Sequence, residues 1–547
     1  MDAAHTIDSH ASPLASRSFA WTCAGLLAIA GLLPLLLGWS NGAHLWMLGC
    51  GLLVGAALTA AQPLSWRGEF RGLFLLALTV RAVLHLAVYG WARSADGPYL
   101  SPDATLYFGQ SLQLSLAGMR LPLPPYVYFG TFDCAHYYLF GAARWLAGAD
   151  LFSLQMVNII LSSLVGPLTY AIARRLAVPY ALAVGVIVAL YPSLIALSIN
   201  DLMKDASVIG FFMVGAWATV ELWRADSGTM RRVVLVATAV VVLSYVRMSR
   251  FYVPAFFEAG LLVAIGVALA RQVVGVPASP LNRSAVLGLT AAILLVELIP
   301  MGLGWPSSPV MVWRAFNQSL DTAEMRLSAV GMVDRMQAGG NVGPKHSGDL
   351  SASGNLSMRA SDVVAQVARG AASGERLAPF VQPAPPPVTA APQGPPPTMR
   401  QRFVRIAANG VRKLFGPFPW VMPTSWDART ILVGDYLMFP GMIIWYLLLP
   451  LALAGLLLVP WTALRQGQFA YPLLALTAFV GILFLQYLVL NLSYRQREFM
   501  FPFLALGAAF VVSRRPASKW PVLGYAAYLG CIVLLAGVHL ALRSRVL

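Results

Sequence analysis

Long apolar runs, each closed by a short polar connector, fill most of the chain. They recur near 20–39, 43–62, 71–91, 152–173, 177–198, 204–223, 232–249, 251–270, 284–303, 435–460, 470–492, 498–513 and 521–541. A bilayer core asks for roughly 20 apolar residues per helical span. The pattern therefore predicts an all-α integral membrane protein, a polytopic helical bundle of about thirteen transmembrane helices with amphipathic helices in its outer loops. Thirteen spans exceed what an anchor needs, so the working part lies in or at the membrane. Arg17 before the first run resembles the start of a signal peptide, but the run's length and the lack of a small-x-small cleavage site favour a retained span.

The connectors set the orientation. Arg67 and Arg71, Arg174 and Arg175, Arg224, Arg231 and Arg232, Arg271 and Arg283, Arg465, and Arg514, Arg515 and Lys519 fall in alternate connectors. The positive-inside rule then puts the N-terminus in the cytoplasm of a cell with an inner (plasma) membrane. The outward connectors are 40–42, 92–151, 199–203, the turn near Arg250, 304–434 and 493–497. Residues 1–70 read as two extra N-terminal helices, 71–303 as a transmembrane core with the first outer loop 92–151, 304–434 as a large outer loop, and 435–547 as the C-terminal helices. Within the large loop, 336–400 is rich in Gly, Ser, Ala and Pro and reads as a disordered insertion. The following QRFVRIAANGVRKLFGPFPW is basic and amphipathic, suited to the outer surface. No repeat of fixed period and no inverted-repeat symmetry shows in the hydropathy.

Composition changes this picture in two places. The mean hydropathy of +0.69 excludes an ordinary soluble domain. The net charge of +16 invites a nucleic-acid reading, yet no basic run is interleaved with stacking aromatics, so membrane topology accounts for the charge and no nucleic acid partner is expected. Cys23, Cys50 and Cys531 fall inside apolar runs and Cys134 outside. No pair has metal or redox spacing, so all four read as small buried hydrophobes.

With the sides assigned, the scarce charges sort themselves. Asp103 and Asp133 lie in the first long outer loop, and Asp201, Lys204 and Asp205 follow the outer end of a span. Arg247 and Arg250, and Arg495 and Arg497, close later outer ends, and Asp435 opens the span after the large loop. Ionisable groups at bilayer depth are costly and mark cavities, and outer arginines run against the positive-inside tendency unless an anion holds them. Arginine's planar fork matches phosphate oxygens, and a carboxylate can accept the proton of an attacking hydroxyl. Sugar transfer from a polyprenyl phosphate needs a base on one side of the sugar, cations on the leaving phosphate and an apolar groove for the tail. Plainer roles suit the same residues. Asp103 after Pro102 fits a helix N-cap, Lys204 and Asp205 fit a local ion pair, Asp133 and His136 fit an interfacial segment, and Glu297 and Asp435 fit salt bridges in the bundle.

The run PDATLYFGQSLQLSLAG resembles the first-outer-loop signature of the GT-C superfamily of membrane glycosyltransferases, of protein-mannosyltransferase or aminoarabinose-transferase type. An Asp is followed by a Tyr four later, a small residue eight later, then a Leu and a Gly, here Asp103, Tyr107, Ser111, Leu114 and Gly118. YPSLIALSINDLMKDASVIGFF is similar to the family's next outward span and re-entry through Pro192 and Asp205. YRQREFMFPFLALGAA is similar to a late segment with Arg before Pro, through Arg495, Arg497 and Pro502. The stretches spread over roughly 71–513. The resemblance implies Asp103 as general base, inversion at the anomeric carbon, and a polyprenyl-phosphate-linked sugar donor. Tyr107, Asp133, Lys204, Asp205, Arg250, Arg495 and Arg497 would then bind substrate. The acceptor would be a glycan, lipid or protein on the periplasmic or exterior face, among membrane lipids. Ala104 stands where many relatives carry a second acid, which leaves a divalent metal ion (Mg or Mn) undecided, with Asp133 or Asp205 as alternative ligands. Two other expectations stand beside it: an O-antigen-type polymerase or ligase depending on 304–434 or late residues, and a lipid-linked glycan transporter with polar lining at mid-depth.

Overall fold

The computed structural model describes residues 12–94, 99–100, 102–120, 134–199, 202–223, 228–273, 283–312, 358–372, 433–466, 470–489, 494–513 and 520–544. The helices in chain order are α1 (Arg17–Leu36), α2 (Ala43–Ala60), α3 (Leu64–Ser94), α4 (Pro102–Leu116), α5 (Ala135–Ala147), α6 (Leu151–Ser163), α7 (Val165–Arg175), α8 (Ala181–Ala189) and α9 (Pro192–Ile199). They continue as α10 (Lys204–Leu222), α11 (Thr229–Ser249), α12 (Tyr252–Val273), α13 (Arg283–Gly302), α14 (Ala360–Ala372), α15 (Val433–Gln466), α16 (Ala470–Val489), α17 (Phe501–Val512) and α18 (Trp520–Ser544). Two residues of extended chain, β1 (Tyr99–Leu100), pair antiparallel with β2 (Met358–Arg359). The protein is otherwise an all-helical, multi-spanning bundle.

Ten helical stretches among the described residues are long and apolar enough to cross a membrane. The expected thirteen differ because the last three apolar regions are represented by shorter described stretches, Tyr471–Gln486, Phe501–Val512 and Val522–Leu534. Two of the ten are composite. Pro167 has no N–H for the Ser163 carbonyl, and α6 passes into α7 through a break at Leu164. Pro192 likewise ends α8, and the span resumes as α9. The carbonyl of Ala189, left without a helical donor, accepts from Nη1 of Arg81 at 2.8 Å, and the same nitrogen donates to the Ala77 carbonyl at 3.1 Å. Arg81 is fully buried in the middle of α3.

The span Leu151–Arg175 and the span Lys204–Leu222 are each 89% buried and form the centre, whereas Arg17–Leu36 is only 28% buried. The first two helices are therefore peripheral, their apolar sides facing outward. Cys23 and Cys134 are buried as expected, but Cys50 and Cys531 are exposed on the outward faces of the bundle. At the basic end predicted to face the cytoplasm, Glu221 accepts from both Arg175 and Arg231. Arg175 also lies over the Trp66 ring at 4.5 Å.

The segment 336–400 is not without structure throughout. Residues MRASDVVAQVARGAA form β2 and the amphipathic α14, which packs on α4. Val363 and Val367, one turn apart, are buried there. A composition average over the whole tract hid this short apolar stripe. The remainder of 336–400 and the amphipathic stretch 401–420 lie outside the described residues.

Candidate functional site

In the first long connector, predicted to face outward, α4 packs against α5. Pro102 opens α4, where its missing N–H costs nothing, and Asp103 sits in the first turn, beside the positive end of the helix dipole. That is the second helical position and not the N-cap expected of it. Asp103 is exposed; Tyr107, one turn on, is buried. The rest of the signature is scaffold. Ser111 and Leu114 face Gly141 of α5, where an added Cβ would lie 3.1 Å from Leu114 Cβ and 3.4 Å from the Ser111 carbonyl. Gly118 ends α4 at φ +64°, the left-handed conformation that suits glycine.

α5 begins with Ala135 and brings His136 and Tyr137 against Tyr107. The His136 ring meets Tyr107 edge-on at 4.1 Å between centroids, and Tyr137 lies 5.9 Å from Tyr107. α5 also packs on α11, which ties it to the bundle.

The third side comes from the start of α10. Nδ2 of the buried Asn158 on α6 donates to the Met203 carbonyl at 2.8 Å and fixes this helix start. Gly210 lets the two helices meet: a Cβ there would lie 2.4 Å from the Leu161 carbonyl oxygen. Lys204 places Nζ 5.7 Å from the centre of the Tyr107 ring. Asp205 accepts on Oδ1 from Nη2 of Arg250 at 2.7 Å and from Nε at 3.0 Å. Arg250 is the C-cap of α11. Burial pushes the Tyr107 phenol well above its usual range, with Asp103 adding to the rise and Arg250 opposing it. Burial also holds the His136 imidazole well below its usual value, with Lys204 and Arg250 adding to the depression. His136 is therefore neutral at physiological pH. The first turns of α5 and α10 thus each bring a side chain to Tyr107, His136 at 4.1 Å and Lys204 at 5.7 Å, and first turns of helices favour an anion.

Of the sequence-predicted residues, Asp103, Tyr107, Lys204, Asp205 and Arg250 are thus brought into one neighbourhood although they span about 150 positions. Arg497 lies in a short 3-10 helix, Tyr494–Phe499, that packs on α10. It is fully buried, its guanidinium 5.2 Å from the centre of the Trp445 ring and 3.8 Å from Glu498. Asp133, Asp201 and the side chains of Arg495 and Asp435 lie outside the described residues. Arg247, three positions before Arg250, is excluded from anion binding because its donors are taken. Nε donates to Ser308, Nη1 to the Val296 and Glu297 carbonyls, and Nη2 to the Pro306 carbonyl and to Oε2 of Glu297. The expected salt bridge of Glu297 is this one.

Sequence reasoning missed Tyr137, Glu498 and Arg81. Tyr137 follows His136 in an aromatic run and carried no separate signal. Glu498 and Arg81 were legible as charges within apolar surroundings. Among the described residues no three His, Cys, Asp or Glu side chains gather to hold a metal ion, and Oδ1 of Asp205 is already engaged by Arg250. The described donor set does not fit a divalent cation.

No family model matches the chain, and no curated protein matches it. Among solved structures it is similar to the archaeal oligosaccharyltransferase AglB from Archaeoglobus fulgidus, in complex with an inhibitory peptide and a dolichol-phosphate. The identity is 13% and the TM-score 0.35, over 85% of this chain and 55% of that one. The chain spans about half the length of that protein, and a similarity this shallow carries no argument about the site.

Proposed function

We propose that this protein is a membrane glycosyltransferase that moves a sugar from a polyprenyl-phosphate-linked donor to an acceptor hydroxyl on the outer face. The observation that supports the reading best is the environment of Tyr107, which feels an acid, Asp103, and the cation Arg250 at once, with Lys204 over its ring. These residues gather where α10 begins and α11 ends, at one end of an apolar bundle whose helices can lodge a lipid tail.

In this reading Asp103, exposed at the rim, takes the proton of the acceptor hydroxyl as its oxygen attacks the anomeric carbon. The bond from that carbon to the phosphate oxygen breaks, with inversion, and the leaving polyprenyl phosphate keeps the electron pair. Lys204 and Arg250 stabilise the charge that grows on that oxygen, helped by the first turn of α10 that carries Lys204. Asp205 aims Arg250, and Tyr107 packs beside Lys204 and His136. Arg497, together with Arg495 and Asp133, whose side chains lie outside the described residues, belongs to this proposal as a further substrate contact. The core 71–303 would hold the catalytic loop, with 1–70 outside it.

The test is transfer from a polyprenyl-phosphate sugar by purified wild type, Asp103→Asn and Asp103→Ala. A general base contributes about 10²- to 10⁴-fold, so both variants should lose at least a hundredfold in kcat. Full activity in both removes Asp103 from the base role. One observation favours a second reading, a polymerase or ligase of polyprenyl-linked glycans: α14 brings the large outer loop onto α4. That reading expects activity to survive Asp103→Asn and to fail on changes in 304–434.

A further inference from the structure

We propose that His136 is a binding residue of this site, whose imidazole donates a hydrogen bond to a phosphate oxygen of the lipid-linked donor. The proposal rests on the transferase reading above and deepens it. His136 is fully buried as the second residue of α5, and neither Nδ1 nor Nε2 has a hydrogen-bond partner among the described residues. Its ring is packed edge-on against Tyr107 at 4.1 Å and Tyr137 at 4.2 Å, with Phe140 at 6.3 Å.

An aromatic slot of that kind accepts phenylalanine without difficulty. Placing an imidazole there leaves two polar atoms dry, which burial penalises unless a ligand satisfies them. Lys204 and Arg250 are close enough to disfavour a third cation beside them. A neutral ring offers one N–H and one lone pair, and the cations on its side fix what the N–H meets: the same anion that they attract. The opposite nitrogen is left to accept a hydroxyl. The charges that act on His136 are those of Lys204 and Arg250, so His136 belongs with the phosphate and not with the base.

The experiment measures binding of a C55 polyprenyl monophosphate, and of the matching uncharged polyprenol, to the purified full-length protein in detergent. Wild type is compared with His136→Phe and His136→Met, which remove both nitrogens, and with His136→Gln, which keeps a donor. Loss of one hydrogen bond to a charged group weakens affinity roughly ten- to a hundredfold. The phosphate lipid should weaken by that factor in His136→Phe and His136→Met and stay within roughly threefold in His136→Gln, while polyprenol binding is unchanged. Either apolar variant, if it melts like wild type and binds the phosphate lipid normally, overturns the proposal. Equal weakening for the phosphate and the alcohol makes His136 a packing residue and overturns it as well. Wild type that fails to bind the phosphate lipid overturns the transferase reading itself, which separates the two failures.

Discussion

The Asp205–Arg250 pair offers a quantitative test of how the cation side of the site is held. Both donors of Arg250 fall on one carboxylate oxygen, at 2.7 and 3.0 Å. At an effective permittivity of about 20, unit charges at the shorter distance attract by about 6 kcal/mol. Most of this offsets desolvation, since the Asp205 side chain is 2% exposed and that of Arg250 17%. Removing one partner of a buried pair costs about 3–5 kcal/mol. The partial exposure of Arg250 puts Asp205→Asn at the lower end, about 3 kcal/mol. Asp205→Asn, Arg250→Gln and the double variant complete a cycle, read by thermal unfolding of purified protein in detergent. Each single change should lower stability, and the second should cost far less once the first is made, with a coupling of at least about 1.5 kcal/mol. Additive losses, within about 0.5 kcal/mol, would refute the reasoning, because they would mean the two side chains do not depend on each other.

Three further outcomes follow from features outside that pair. Gly210→Ala forces a methyl to within 2.4 Å of the Leu161 carbonyl and should cost about 1–3 kcal/mol while lowering transfer, because it displaces the helix that carries Lys204; unchanged melting and activity would refute the close approach. Val363→Asp places a charge in the seam between α14 and α4 and should make 358–372 sensitive to limited proteolysis, whereas protection equal to wild type would mean the seam is not what holds α14. His136 has a folded pKa below its unfolded value of 6.5, so the unfolded chain binds the proton more tightly. Stability present above pH 6.5 is therefore lost as pH falls below it, and His136→Phe should show a smaller drop in melting temperature between pH 7.5 and 5.5; an equal drop refutes the assignment.

The spans were legible because bilayer-length hydropathy averages over enough residues to be robust. Their ends were less so: Phe501–Val512, at 12 residues, is about 18 Å long and too short to cross alone. The Asp103–Tyr107 spacing placed both residues in the first two turns of α4, because a four-residue step shares a helix face. Arg247 and Arg250 could not be told apart in SYVRMSRF. One ends inside α11 and meets backbone carbonyls of α13, the other follows the helix end and meets Asp205, and only tertiary structure decides which. The same holds for His136, whose meaning comes from what does not contact it. Helix α14 escaped notice because its two buried valines are diluted by the polar tract around them.

Arg81 has a bearing on how the chain is made. A guanidinium at the centre of a span raises the cost of insertion by about 2.5–3.5 kcal/mol. The carbonyl that it satisfies belongs to a residue 108 positions downstream. During synthesis α3 must therefore wait, with its charge uncompensated, until the hairpin of α6 to α9 has followed it into the bilayer. Replacing Arg81 with leucine would ease that delay and leave the broken span with a bare carbonyl, trading an assembly problem for a packing one.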